Sequence, residues 1–268
     1  MTDEDSLLFE LHGPTAVLTM NRPARRNALS IDMIVRLADA WDRIDADDEI
    51  RCAILTGAEG AYCVGGDLAS GWMGGGTTPD TANEERAAKD PSLMAKGLLL
   101  HHWVRKPVIA AVNGDCMGGG CEMLQQTDIR IAEEQARFAV PEARRGLMAG
   151  AGSTMRLKRQ IPYAVAMEML LTGRVLDAEE ALRWGLITHL VPTGQGLAKA
   201  LEIADVVNAN GPLSVAASKA SAVETGWLPE EEARKIEARY SALVSRSADA
   251  QEGMRAFREK RPPKFTGS

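Results

Sequence analysis

The chain has 268 residues, 45 % hydrophobic and 25 % charged. This balance excludes a mostly disordered protein and allows one large core, or a core with a helical appendage. Against 37 Asp and Glu stand 31 Lys and Arg, a net charge of −6, which opposes broad nucleic-acid binding but permits a local basic site.

Ala16–Met20 is a β-prone run closed by Asn21-Arg22-Pro23, where proline ends the ladder. Ile34, Leu37, Ala38 and Trp41 recur at the helical period, so a helix is predicted over Ile31–Trp41 with Ser30 as its N-cap. Cys52–Gly57 reads as a buried strand ended by glycine. Residues 71–92, including Gly74-Gly75-Gly76-Thr77-Thr78-Pro79, then carry little regular signal. A stretch of that length is either a lid or pocket wall, or a passive surface insertion. Val108–Val112 is a second buried strand, followed by Gly114 and a helix from about Cys121. Arg130–Ala132 and Arg137–Val140 are short strands separated by Glu133-Glu134. Asp177-Ala178-Glu179-Glu180 reads as a capping box for a helix ended by Gly185, and Leu186–Val191 as a strand stopped by Pro192. Beyond residue 196 strand signals cease. Helices are predicted over 197–209, 213–225, 229–246 and 248–259. The expected division is an α/β core over 1–196 and a helical region over 197–268.

No apolar run approaches the roughly 20 residues of a membrane span, and the acidic start Met1-Thr2-Asp3-Glu4-Asp5 does not read as a secretory or transit signal. Cys52, Cys63, Cys116 and Cys121 form no C-x-x-C pair, which fits a reduced, cytoplasmic protein. The four histidines are scattered, so no metal centre is expected. The absence of P-loop, G-x-G-x-x-G and G-x-S-x-G motifs opposes nucleotide hydrolysis, Rossmann hydride transfer and serine hydrolysis.

Three places carry chemistry. Gly118-Gly119-Gly120-Cys121-Glu122 joins a strand end to a helix start, where free N–H groups favour an anion or a developing oxyanion. Gly65-Gly66-Asp67-Leu68 is a second such point. Together the two could give one N–H each to a single oxygen, or be two ordinary tight turns. Glu122 could serve chemistry or only complement the helix dipole. Glu142, after Pro141, could face Glu122 across a small space or pair at the surface with Arg144 and Arg145. Near the end, Arg255, Arg258, Lys260, Arg261 and Lys264 surround one Glu259. They suit a phosphate-bearing ligand or a solvated helix end. Trp72, Met73, Met94 and Leu98 flank the suspected lid and could line a pocket or pack the core. His101, His102 and Cys116 read as structural.

Taken in order, these segments resemble the crotonase superfamily, closest to enoyl-CoA hydratase. The likeness runs from Asn21-Arg22-Pro23-Ala24-Arg25-Arg26-Asn27-Ala28-Leu29 through both glycine motifs. It continues through Phe138-Ala139-Val140-Pro141-Glu142 and Gly150-Ala151-Gly152-Ser153-Thr154 to Glu252–Arg261. It implies a crotonase-like α/β fold, a spiral of ββα repeats with a helical C-terminal oligomerisation region, assembled as a homotrimer or a homohexamer of paired trimers. It implies reversible hydration of trans-2-enoyl-CoA to 3-hydroxyacyl-CoA. The N–H groups of Gly66 and Gly119 would form the oxyanion hole, and Glu122 and Glu142 would be the catalytic pair. Gly150, Arg25, Arg26, Ala28, Asp67, Leu68 and Trp72 would contact substrate. Phe257 and Lys260 would reach the adenosine end, often across a subunit boundary. Coenzyme A is part of the substrate, and no separate cofactor, metal, nucleic acid or membrane is implied. Ala149, Ser153 and Gly66 depart from the usual proline, glycine and alanine. Double-bond isomerisation is the nearest rival, and a non-catalytic RNA-binding relative a more distant one.

Overall fold

The computed structural model describes residues 6–68 and 81–268. β1 (Leu7–His12) and β2 (Thr15–Met20) form an antiparallel hairpin, and α1 (Ile31–Ala46) follows. The Ser30 hydroxyl caps α1 by accepting from the Met33 N–H at 3.2 Å. The helix outruns its predicted end because Ile44 extends the buried stripe of Ile34, Leu37 and Trp41.

From here the chain repeats one motif. β3 (Cys52–Gly57), β5 (Val108–Val112) and β7 (Ile129–Glu133) enter a larger sheet, and each is followed by a short strand in a smaller one. Those partners are β4 (Ala61–Cys63), β6 (Asp115–Met117) and β8 (Arg137–Ala139). Helices leave each pair: α2 (Ala82–Lys89) and α3 (Ser92–Gly97), then α4 (Gly119–Leu124), then α5 (Ser153–Gln160) and α6 (Tyr163–Thr172). β9 (Leu176–Asp177), α7 (Ala178–Arg183) and β10 (His189–Val191) complete the winding. The larger sheet runs β1-β2-β3-β5-β7-β10 and the smaller β4-β6-β8-β9. This is the spiral of ββα repeats expected from the sequence. It ends in α8 (Gly196–Asn208), α9 (Pro212–Thr225), α10 (Glu230–Ser245) and α11 (Ala248–Glu259), close to the four predicted helices.

Trp41, Tyr62 and Phe138 are fully buried in the main core with α1 and both sheets. Each such side chain contributes about 1.5–3 kcal/mol as an upper estimate. Ala200 and Ala204 of α8 close the opposite face of the larger sheet over Ile54, Ile109 and Ile131.

Some expectations are trimmed. The strand predicted over Leu186–Val191 shortens to His189–Val191. Asp177 accepts from the Glu180 N–H at 2.8 Å, but this is half of the expected capping box, because the Glu180 carboxylate pairs with Arg174 instead of returning to the Asp177 N–H. Within 71–92, the described part holds α2, whose Thr81 and Glu84 form a reciprocal capping box. The Asn83 amide donates to Asp32 at 2.6 Å and fastens α2 to α1. The remainder of that proposed lid, with Trp72 and Met73, lies outside the described residues. No helix among the described residues is long and apolar enough to cross a membrane.

Candidate active site

The spiral brings the ends of β4 and β6 side by side in the smaller sheet. The chain after β4 is fixed by a bridge to Leu29. The Leu29 N–H donates to Gly65 O at 2.8 Å, and the Asp67 N–H donates to Leu29 O at 3.0 Å. Those bonds use the neighbours of Gly66, so its own N–H faces the other way. After β6, Gly118 adopts φ +52°, the left-handed region, and opens α4. The N–H of Gly119 then sits in the first helical turn, where no intrahelical acceptor exists. The two segments touch. A Cβ placed on Gly65 would lie 3.2 Å from Gly119 N, and one placed on Gly119 would lie 4.0 Å from Gly66 N. Among the described residues neither N–H donates a hydrogen bond. The two N–H groups are thus close neighbours, each without an acceptor among the described residues.

Glu122 projects from α4 and is 3 % exposed. Its Oε1 accepts from the N–H groups of Ala151, at 2.9 Å, and Ser153, at 3.1 Å, at the start of α5. Burial pushes its carboxyl up to about 7. The Ser153 and Ala151 N–H groups oppose the rise, and the charge of Glu142 adds to it. Glu142 stands in the short 3-10 turn Pro141–Arg145. Its Oε1 lies 2.9 Å from where a Cβ on Gly118 would be, so the carboxyl rests against the glycine pair. Its Oε2 is buried with no partner among the described residues. Burial raises its pKa, with its own backbone N–H and Arg145 pulling the other way.

Gly66, Gly119, Glu122 and Glu142 line one cleft of about 690 Å³, together with Gly150, Arg25, Arg26, Ala28, Asp67 and Leu68. Leu98 is on its wall, whereas Met94 packs against the core. Arg26 and Arg137 both pair with Asp115 at the rim, Arg137 Nε at 2.7 Å from Oδ1. Arg22 pairs with Asp67 at 2.9 Å. Arg145, beside Glu142, is also part of the lining, so the glutamate does have its sequence-near arginine as well as its place in the cleft. Trp72 is outside the described residues. Phe257, 85 % exposed on α11, and Lys260, which ends that helix, do not line this cleft.

The C-terminal basic cluster is more neutral than its sequence suggests. Buried Glu252, one turn before the cluster, binds Arg255 and accepts from Arg261 Nη1 at 2.6 Å. The Lys264 N–H donates to it at 3.0 Å. Two of the five cations considered are therefore already engaged.

The donors on Glu122 were not anticipated from sequence. Gly150-Ala151-Gly152-Ser153 was the available signal, because a glycine-rich helix start offers free N–H groups here as it does at Gly118. Arg137 and Met117, also on the wall, gave none.

Residues 11–268 match the enoyl-CoA hydratase/isomerase family. The chain is 49 % identical to the enoyl-CoA hydratase EchA19 of Mycobacterium tuberculosis, over 96 % of this chain and 95 % of that one. It is 36 % identical to the (E)-benzylidenesuccinyl-CoA hydratase of Thauera aromatica, over 97 % and 98 % of the two chains. A crystal structure of an enoyl-CoA hydratase from Mycobacterium tuberculosis superposes with a TM-score of 0.87 at 36 % identity, over 99 % of this chain and 100 % of that one.

Proposed function

The chain belongs to the enoyl-CoA hydratase/isomerase family, and we propose that it catalyses reversible hydration of a trans-2-enoyl-CoA to the 3-hydroxyacyl-CoA. The observation that carries this reading is the meeting of buried Glu122 and half-buried Glu142 with two glycine N–H groups that donate to nothing among the described residues, all lining one cleft. As water adds at C3, electron density moves to the thioester oxygen. The N–H groups of Gly66 and Gly119 would receive that charge, and losing one such donor typically costs about 3–4 kcal/mol of barrier. Glu122, held by N–H donors that favour its anion, suits the base that orients and deprotonates water. Glu142, with an unpartnered buried oxygen, suits the acid that gives a proton to C2. No metal or separate cofactor enters this scheme, and coenzyme A arrives as part of the substrate.

The absorbance of crotonyl-CoA tests the reading. Hydration destroys the conjugated enoyl thioester, so absorbance is expected to fall on adding the protein. Longer, branched and cyclic enoyl-CoAs follow if crotonyl-CoA is too small to be held. If none loses absorbance while a 3-enoyl-CoA is converted to its 2-isomer, the protein is an isomerase. Relatives named as a hydratase of benzylidenesuccinyl-CoA and as a carnitinyl-CoA dehydratase favour addition and removal of water over isomerisation. Tight, salt-sensitive RNA binding without turnover would instead support the binding-module reading. The four buried free cysteines fit action in the reducing cytoplasm.

We also propose that copies of the chain associate as a homotrimer or homohexamer through the helical region 197–268, with α6 presenting further apolar groups. Tyr163 at 64 %, Leu171 at 69 % and Phe257 at 85 % exposure are large apolar groups that a second copy would cover. In that assembly Phe257 and Lys260 would reach the coenzyme A of a neighbouring site. Phe257→Ala is expected to raise KM about tenfold with kcat nearly unchanged. The same variant tested with a thioester lacking the adenosine phosphate end should lose little, and equal losses with both substrates would refute the adenosine role.

A further inference from the structure

One wall of the cleft carries charge that the proposed chemistry does not use. Asp115 and Met117 share a face of β6 and both line the cleft, while Cys116 between them is buried in the core. Arg137 of β8 stands in register with Asp115. Its Nε and Nη2 donate to the two Asp115 carboxylate oxygens at 2.7 and 3.0 Å, a bidentate fork. Arg26 pairs with the same carboxylate through Oδ2, the oxygen that already accepts from Arg137 Nη2. Arg26 and Asn27 both hold the left-handed conformation, at φ +52° and +57°, which costs energy in a residue with a side chain. The Asn27 side chain fixes that turn by donating to Ala58 O at 2.8 Å and Ala61 O at 2.7 Å. A strained turn thus delivers a second cation to a carboxylate that already has one. The Asp115 side chain is 9 % exposed, whereas those of Arg26 and Arg137 are each 58 % exposed. The Arg137 Nη1 has no partner among the described residues, and Arg25, on the same wall, makes no ion pair among them. Three guanidinium groups against one carboxylate leave about two positive charges at the mouth of the cleft.

We propose that Arg137 is a substrate-binding residue that receives the diphosphate of coenzyme A, with Arg26 beside it and Asp115 holding both in place. The proposal rests on the reading that a coenzyme A thioester fills this cleft. Reach selects the diphosphate. Asp115 precedes Gly119 along the chain through β6, so its backbone stands about 10–13 Å from the glycine N–H groups proposed to hold the thioester oxygen. About thirteen covalent bonds separate the thioester sulfur from the first phosphorus, an arm of about 15 Å when extended as a polypeptide is. The 3′-phosphate lies a further ribose away. A diphosphate carries about two negative charges, the number left unmatched at the mouth, and its oxygens suit a guanidinium edge. Because the fork on Asp115 fixes Arg137 before the ligand arrives, little side-chain freedom is lost on binding.

Calorimetry of the full protein with free coenzyme A and with dephospho-coenzyme A tests the assignment. Arg137→Gln is expected to weaken both ligands alike by about tenfold, the scale of one hydrogen bond to a charged group. Arg137→Lys keeps the charge without the fork and should recover part of the loss. In the wild type, labelling of Arg137 by a dicarbonyl reagent, read by peptide mass spectrometry, should be blocked by either nucleotide and not by pantetheine, which lacks the diphosphate. The labelling needs no variant, so it decides the matter if Arg137→Gln does not fold. Unchanged coenzyme A affinity in folded Arg137→Gln would overturn the assignment, as would labelling that coenzyme A leaves unblocked or that pantetheine blocks equally. A loss seen with coenzyme A and absent with dephospho-coenzyme A would put Arg137 at the 3′-phosphate and overturn the diphosphate. The expected binding results in a protein that hydrates no enoyl-CoA would leave the assignment standing and refute the hydratase reading alone.

Discussion

Glu142→Gln is expected to lower kcat for hydration by about three to four orders of magnitude, near the upper end of what a positioned acid or base supplies. Glutamine keeps the shape but cannot give a proton to C2. KM should change little, because the oxyanion donors and the cleft walls still hold the substrate. Glu122→Gln should lose a similar factor, since its amide oxygen can still accept from Ala151 and Ser153 but cannot take a proton from water. The double variant should fall little below either single one, because the two groups act on the same transition state. Stopped assays with product analysis by mass spectrometry check all three. A single variant with wild-type turnover and an intact fold would refute the two-glutamate mechanism.

Stability should move the opposite way in Glu122→Gln. The folded protein holds the Glu122 carboxyl at about 7, above the ordinary 4.5. Between those values the native state binds more protons than the unfolded one, so stability falls as pH rises through this window and stays reduced above it. Glutamine removes the buried charge and with it up to about 3 kcal/mol of alkaline destabilisation, as an order of magnitude. Thermal melts should show the variant gaining on the wild type from acid to mildly alkaline pH. A constant difference in Tm across that range would contradict the assigned burial effect. The site thus trades stability for chemistry, as expected where a carboxylate is kept out of water.

What was legible in the sequence was what is local. The stripe on α1, its Ser30 cap, the buried runs of β3 and β5, and the proline-separated helices at the end all declare themselves within one or two turns of chain. The glycine motifs and both glutamates were legible as motifs, although their spacing alone left each open to a bland reading. β4, β6 and β9 have two or three residues each, too few to show a period. α6, Tyr-Ala-Val-Ala-Met-Glu-Met-Leu-Leu-Thr, is apolar nearly all round and so lacks an amphipathic signature. Contacts made only in three dimensions gave no local sign. Glu122 meets Ser153 across 31 residues, and Glu252 neutralises arginines that the sequence presents as a free basic patch.

The seating of α4 can be tested by one kind of substitution made in two places. Gly120→Ala is expected to lower Tm by several degrees and hydration by about a hundredfold, whereas Gly253→Ala should leave activity intact and slightly raise Tm. At Gly120 a Cβ would lie 2.5 Å from the backbone oxygen of Cys63 and 2.7 Å from its side-chain carbon. The backbone of Cys63, fully buried at the end of β4, cannot swing away, so α4 must shift outward from β4. That shift carries Gly119 away from Gly66 and Glu122 away from the start of α5, which would separate the proposed oxyanion donors and the proposed base together. A displacement well under the size of an atom is enough, because the stabilisation depends on donors already at hydrogen-bond distance when charge develops. At Gly253, inside α11, the added carbon meets only the Phe265 ring at 3.6 and 3.8 Å, ordinary contact. There the gain in helix propensity, about 0.5–1 kcal/mol, is unopposed. Equal effects of the two substitutions on turnover would break the link between this helix seat and catalysis. The contrast follows because the proposed oxyanion hole would be assembled by packing α4 against β4 rather than by any side chain that reaches the substrate.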